Sequence, residues 1–251
     1  DPAMLGLAIL SGAAFGDNLA PISDTTIVSA YTQGAEMRDV VRSRFPLAIS
    51  AASISAVVFL VFGGGGEVRP LPEMQASLNL IQAGIDNVVG AIIFAILILA
   101  VTQILVECGI MRRILDFAQS TLVATVRQAE LFIVGVTILA SIPISANAPA
   151  ELLVGPSIVR PLGERFGLAA ARRANLMDCA VCTIFFVLPW HIAVAAWYGA
   201  LYSAAETYAI PAPPISAALY NPYSWALLAV LLFSAFTGWN RKYAKDEAPA
   251  A

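Results

Sequence analysis

The sequence predicts an all-α membrane protein, a polytopic helical bundle in which two helices are broken within the membrane. Three observations carry that expectation. Of 251 residues, 59% are hydrophobic and 12% are charged, and the mean hydropathy is +0.78. Several uncharged runs reach about 18 residues, enough to cross a bilayer core as helix. Two of the apolar stretches carry a central proline, Pro21 and Pro189, and proline in a helix interior removes a backbone hydrogen bond. The net charge of −3 is small, and no basic patch suggests nucleic acid. Cys108, Cys179 and Cys182 lie in or beside apolar segments, which argues against a disulfide framework. The Cys179/Cys182 pair reads as packing rather than redox or metal chemistry.

Taken in order, residues 3–30 form the first broken helix. Its middle, Gly12–Thr26, holds Asp17, Asn18, Pro21, Ser23, Asp24, Thr25 and Thr26. Irregular backbone at membrane depth must line a cavity or be buried in protein, and ionisable residues there mark ion paths. Residues 31–44 carry Arg38, Arg42 and Arg44 and read as a loop. Residues 45–62 are an uninterrupted span of about 27 Å. Residues 63–66 are four glycines that open a loop with one basic residue, Arg69. Residues 73–87 suit an interfacial helix, and 88–107 suit a span ending at a snorkelling Glu107. Residues 108–129 read as an amphipathic surface helix.

Residues 131–142 are apolar and are interrupted by Pro143-Ile144-Ser145-Ala146-Asn147-Ala148-Pro149. Residues 151–159 follow, then a basic stretch at 160–173. Residues 178–202 form the second broken helix, 203–221 a proline-rich loop without Lys or Arg, and 222–239 the last span.

Loop charges fix orientation, because Lys and Arg concentrate on the cytoplasmic side. They number three in 31–44, one in 63–87, three in 108–129, four in 160–173, none in 203–221 and three in 240–251. The alternation holds only if 130–159 enters and leaves on one side, as a re-entrant hairpin tipped by Ser145 and Asn147. Five spans and one hairpin result, with the broken helices 3–30 and 178–202 antiparallel. That is the pattern of an inverted-repeat transporter, whose ion sites lie at discontinuous helices. Residues 1–251 then form a single transmembrane domain. Because the chain starts at Asp1, close to the first break, it reads as the later part of a longer protein.

The segment Phe15-Gly16-Asp17 through Ala20-Pro21-Ile22-Ser23-Asp24-Thr25-Thr26 closely resembles the signature of NhaC-type Na+/H+ antiporters. Those read Gly-Asp, two residues, then Ser-Pro-Leu-Ser-Asp-Thr-Thr. A looser resemblance runs through Arg173-Ala174-Asn175, Asp178, Leu188-Pro189-Trp190-His191 and Tyr220-Asn221-Pro222-Tyr223. The family's Ser-Pro before Pro-Trp is here Phe186-Val187, and its Asn-Thr after Trp is His191-Ile192, which removes several oxygen ligands. The resemblance implies an ion-transporter-superfamily fold in the cell (inner) membrane, with Na+ and H+ as coupled ions and no cofactor. It also includes relatives that exchange organic acids such as malate and lactate.

The chemistry needs a group that holds Na+ or H+ but not both, and a half-dry carboxylate does this. Na+ takes oxygen ligands. Asp17, Asn18, Ser23, Asp24, Thr25 and Thr26 supply them at the first break, with Asp17 and Asp24 as the charged ligands. Ser145, Asn147, Asp178, Trp190 and His191 are the further candidates. Each has a structural alternative: Asp24 and Asp178 as helix caps, Asn147 as a turn residue, Trp190 as packing. The single histidine, His191, suits either proton relay or neutral packing. Arg160 is placed to meet a carboxylate substrate or to sit at the cytoplasmic rim. An organic-anion or amino-acid exchanger is the alternative within the transporter class, and a homodimer is an expected assembly.

Other classes fit less well. An intramembrane aspartyl protease would need glycine where Ala14 stands and a Tyr-Asp partner on another helix. A channel or membrane scaffold would not need the carboxylates. No enzymatic activity is expected.

Overall fold

The computed structural model describes residues 2–63, 104, 107–109, 113, 116–117, 123–144, 146–208 and 211–246. Among them the chain is helical, apart from one isolated bridge between Leu168 and Tyr243. The sequence expectations for 73–87, for most of 88–107 and 108–122, and for Ser145 fall outside the described residues.

The first apolar stretch is two helices, α1 (Pro2–Leu19) and α2 (Asp24–Gln33), separated by residues 20–23. Pro21 lies in the gap, where its missing N–H costs nothing further. Gly34 closes α2 in the left-handed conformation (φ 67°), and the turn returns hydrogen bonds to the Ala30 and Tyr31 carbonyls.

The expected loop 31–44 is mostly helix. α3 (Met37–Phe62) begins after only residues 34–36 and is roughly 39 Å long. Its inward face is Val40, Ser43, Arg44, Leu47, Ala48 and Ala51, at helical spacing, while Arg38 and Arg42 face outward. The charges mark an amphipathic first half of the helix rather than a connection.

α4 (Val126–Ile144) starts with a reciprocal cap. The Thr125 amide donates to Gln128 Oε1 at 3.0 Å, and the Gln128 amide donates to Thr125 Oγ1 at 3.3 Å. α4 ends at Ile144, within the interruption expected over 143–149, with Pro143 inside its last turn. α5 (Asn147–Val154) follows, then one wide turn over Gly155–Val159 with π-type spacing, and α6 (Arg160–Arg165). Gly155 is needed there: a Cβ would come within 2.8 Å of Thr32 Oγ1.

α7 (Ala170–Phe185) is the central helix. Every residue from Ala171 to Thr183 is buried, and α1, α2, α3, α4, α5, α8 and α9 all pack on it. The expectation started this helix at Asp178, because Arg172 and Arg173 read as a solvated rim. Both arginines are instead buried and paired internally. Arg172 binds Glu130 at 2.8 Å and Ser234 at 2.9 Å. Arg173 binds the Gln33 carbonyl at 3.0 Å and its side chain at 3.2 Å.

Residues 186–191 separate α7 from α8 (Ile192–Tyr208), so helix continues past the expected end at Tyr202. A short 3-10 turn over Ile215–Tyr220 leads into α9 (Pro222–Thr237), which packs along α3.

Four described helical stretches are long and apolar enough to cross a membrane: Ala3–Gln33, Met37–Phe62, Val126–Ile144 and Ile215–Thr237. Exposed Leu5, Ile9, Ile54, Val57, Leu60, Leu139, Phe233 and Phe236 clothe their outer faces. Such a surface suits lipid rather than water. This is a membrane protein.

Candidate functional site

The gap between α1 and α2 faces the middle of α7, and a chain of polar side chains crosses the interface. It begins at Asp17, in the last turn of α1 and partly buried. Ser23 Oγ donates to Asp17 Oδ1 at 2.6 Å and lies 2.9 Å from Thr25 Oγ1. The Cys182 thiol donates to Asp17 Oδ2 at 3.8 Å and lies 3.4 Å from Asp178 Oδ1. Asp178 is fully buried in mid-helix and pairs with the guanidinium of Arg44, which is also fully buried. Ser29 Oγ adds a contact to Asp178 Oδ2 at 3.3 Å. The helix-cap alternative for Asp178 is therefore excluded by position.

Arg44 ties three elements together. It donates to Thr26 Oγ1 at 2.7 Å, to the Asn18 carbonyl at 2.9 Å and to Asn175 Oδ1 at 2.9 Å. The Asn18 carbonyl is among those left without a helical partner where α1 stops. Asn18 Nδ2 donates to the Tyr223 hydroxyl of α9 at 2.9 Å, and Asn175 Nδ2 donates to Ser43 Oγ at 2.6 Å. Asp24 is exposed and accepts from the Thr25 amide at 2.8 Å. Its charge suits the positive N-terminus of α2, so capping and ligation are compatible there.

Asp17, Asn18, Ser23, Asp24, Thr25, Thr26 and Asp178 are thus brought together. The other described candidates lie elsewhere. Trp190 is 55% exposed, and its Nε1 donates to the Ile142 carbonyl of α4 at 2.8 Å. His191 is buried, with edge contacts to Phe185 and Trp190. Asn147 heads α5, which packs on α2 and α7. Arg160 is half exposed and pairs with Glu164 at 3.0 Å, a rim position.

Sequence reasoning missed Arg44 and Cys182, and it met Asn175 only through resemblance. Arg44 had a legible signal, since it shares the helical stripe of Val40, Leu47 and Ala51. Cys182 was assigned to packing and instead joins the two aspartates. Asn221 was noticed only through resemblance. It accepts from Ser11 Oγ at 2.7 Å and donates to the Phe186 carbonyl at 3.0 Å, where α7 ends. Among the described residues no group of three metal-ligating side chains forms a resident metal centre.

These features define a class: a helical membrane protein in which charged and polar side chains of several helices meet at the gap between α1 and α2. Residues 2–64 match the family model of the Na+/H+ antiporter family. Three curated relatives are antiporters. The malate-2H(+)/Na(+)-lactate antiporter of Bacillus subtilis is 34% identical over 37% of this chain and 20% of its own length. The Na(+)/H(+) antiporter NhaC of Alkalihalophilus pseudofirmus is 29% identical over 33% and 18%. The arginine/ornithine antiporter ArcD of Halobacterium salinarum is 32% identical over 38% and 20%. The match therefore spans about a fifth of each relative. No solved structure matches the chain.

Proposed function

We propose that this chain forms the ion-coupling part of a secondary antiporter that exchanges Na+ for H+ across the cell membrane. The observation that carries the reading is the charge balance around the α1–α2 gap. Asp17 and Asp178 share the Cys182 thiol there, Asp24 heads α2 at the same gap, and Arg44 pairs with Asp178. Asp17 is left with hydroxyl and thiol neighbours, which satisfy it poorly as an anion. A Na+ ion would complete it, with oxygens from Asp17, Ser23, Thr25, Asp24 and the carbonyls freed around Pro21. A proton would serve equally, and the two compete for the same carboxylate. The interruption at 186–191 is the counterpart on the other side of α7. A second interruption is what an inverted-repeat arrangement needs.

The test uses full-length protein in proteoliposomes with an internal pH dye and stepped external Na+. Asp17→Asn keeps size and hydrogen bonding but removes the charge. It should abolish Na+-driven proton movement, with expression and folding intact. Exchange by this variant at near wild-type rate and affinity would overturn the reading.

A second reading is exchange of a small organic acid or amino acid coupled to Na+ or H+. Two relatives carry such substrates in their names, and Phe186-Val187 and His191-Ile192 make the second interruption less polar than the resembled motif. Malate, lactate, arginine and ornithine gradients across the same vesicles separate the two readings. Proton movement that needs one of these solutes favours the second.

A further inference from the structure

α5 carries an acidic position outside the polar chain described above. Glu151 is fully buried, and neither of its carboxylate oxygens has a hydrogen-bond partner. One turn earlier, Asn147 is 3% exposed, and both its side-chain oxygen and nitrogen are unsatisfied. Residues four apart share a helix face. This face, with Ala150 and Val154, is the one turned into the bundle. Buried polar groups are almost always paired, so two adjacent side chains with every polar atom unsatisfied require a reason.

The surroundings give one. Asp178 of α7, Arg44 of α3, Asp24 of α2 and Asp17 of α1 all lie within electrostatic reach of Glu151. α7 also carries Cys179, within electrostatic reach of Glu151. α4, which packs on α5, carries the buried hydroxyls of Thr137 and Ser141, while its Glu130 is held by Arg172 and Arg241. The wide turn after α5 contains no charged residue. Arg44 is already committed to Asp178. A carboxylate in this setting, with no donor of its own, is neutralised by a proton or by a cation.

We propose that the Asn147–Glu151 face of α5 is a further ion position: Glu151 holds a proton in the present arrangement and gives it up when a hard monovalent cation enters the carboxylate-rich region. The O–H bond of the acid breaks, the proton leaves to water, and the cation replaces its charge. Asn147 then offers its amide oxygen as a neutral ligand. The proposal rests on the antiport reading, since the cation is the transported one, and it adds a residue on a different helix from the Asp17 group.

The experiment adds NaCl to purified, weakly buffered full-length protein and follows proton release with a pH dye, with Na+ binding measured by calorimetry. Wild type should release protons. Glu151→Gln should still bind Na+ and release about one proton fewer per chain, since ion binding to protonated ligands displaces their protons. Equal release by both proteins would overturn the proposal. Na+ binding by wild type without any proton release would overturn the antiport reading, and this proposal with it. Should Glu151→Gln fail to fold, infrared spectra of wild type with isotope-labelled glutamate decide. A protonated glutamate carboxyl band that disappears on Na+ addition supports the proposal. The absence of such a band in Na+-free protein at neutral pH overturns it.

Discussion

Arg44 shows how much depends on one side chain. It is a wholly buried cation whose partner, Asp178, is a wholly buried anion. Removing one member of such a pair strands the other, which costs about 3–5 kcal/mol. Arg44→Ala should therefore lower the thermal stability of detergent-solubilised protein sharply. Arg44→Ala with Asp178→Asn should recover much of the loss, because no charge is then left unpaired. A double variant no more stable than the single one would mean that Arg44 acts mainly through Asn18, Thr26 and Asn175. At this scale the sequence was legible where a charge interrupts an apolar run: Asp17, Asn18, Ser23 and Thr26 were all readable. It was misleading where a charge neighbours other charges. Arg44 follows Arg38 and Arg42, and Arg172 and Arg173 follow Arg160 and Arg165, so all of them resembled solvated rims. Their burial depends on partners more than 40 residues away, such as Glu130 for Arg172, and no local pattern contains that information.

Among the elements, both interruptions are held by long-range hydrogen bonds. At the first, Arg44 takes the Asn18 carbonyl. At the second, Asn221 takes the Phe186 carbonyl, receives Ser11 from α1 and caps α9 through the Tyr223 amide at 3.2 Å. One amide thus fixes α1, α7 and α9 around a helix end. Asn221→Ala would leave the Phe186 carbonyl and the Ser11 hydroxyl unsatisfied, at about 1–3 kcal/mol for each buried group. The variant should show a lower melting temperature, with Na+-dependent transport reduced at a fixed protein density. Asn221→Asp can still accept from Ser11 and Tyr223 but cannot donate to Phe186, so it should fall between. Unchanged melting of both variants would remove Asn221 from this role. The proline positions announced the interruptions. Pro21 lies in the first gap and Pro189 in the second, and α4 ends one residue after Pro143, in a last turn where few hydrogen bonds remain to be lost.

Across the whole molecule, α7 reverses a simple hydropathy reading. It is the most central helix, yet with 16 residues that include Arg172, Arg173 and Asp178 it is not among the four stretches long and apolar enough to cross a membrane. Its polar residues are exchanged against polar residues of its neighbours: Asp178 with Arg44, Asn175 with Arg44 and Ser43, Arg172 with Glu130 and Ser234. The outer helices can then present apolar faces to lipid. Such an arrangement sets the start of α3 against the segment before α9 in the charge asymmetry read from the sequence. The first turns of α3 carry Arg38 and Arg42, whereas 203–221 carry no Lys or Arg. The start of α3 and the segment before α9 should therefore lie on opposite faces of the membrane, the first in the cytoplasm. Single cysteines at Glu36 and Pro211 test this, because both positions are exposed. Exposed Cys108 is first replaced by serine, and Cys179 and Cys182 are buried and free. In intact cells a membrane-impermeant maleimide should label the Pro211→Cys variant and spare the Glu36→Cys variant until the membrane is opened. Labelling of both from outside would put the two positions on one face, and the antiparallel relation of the two interrupted helices would fall with it.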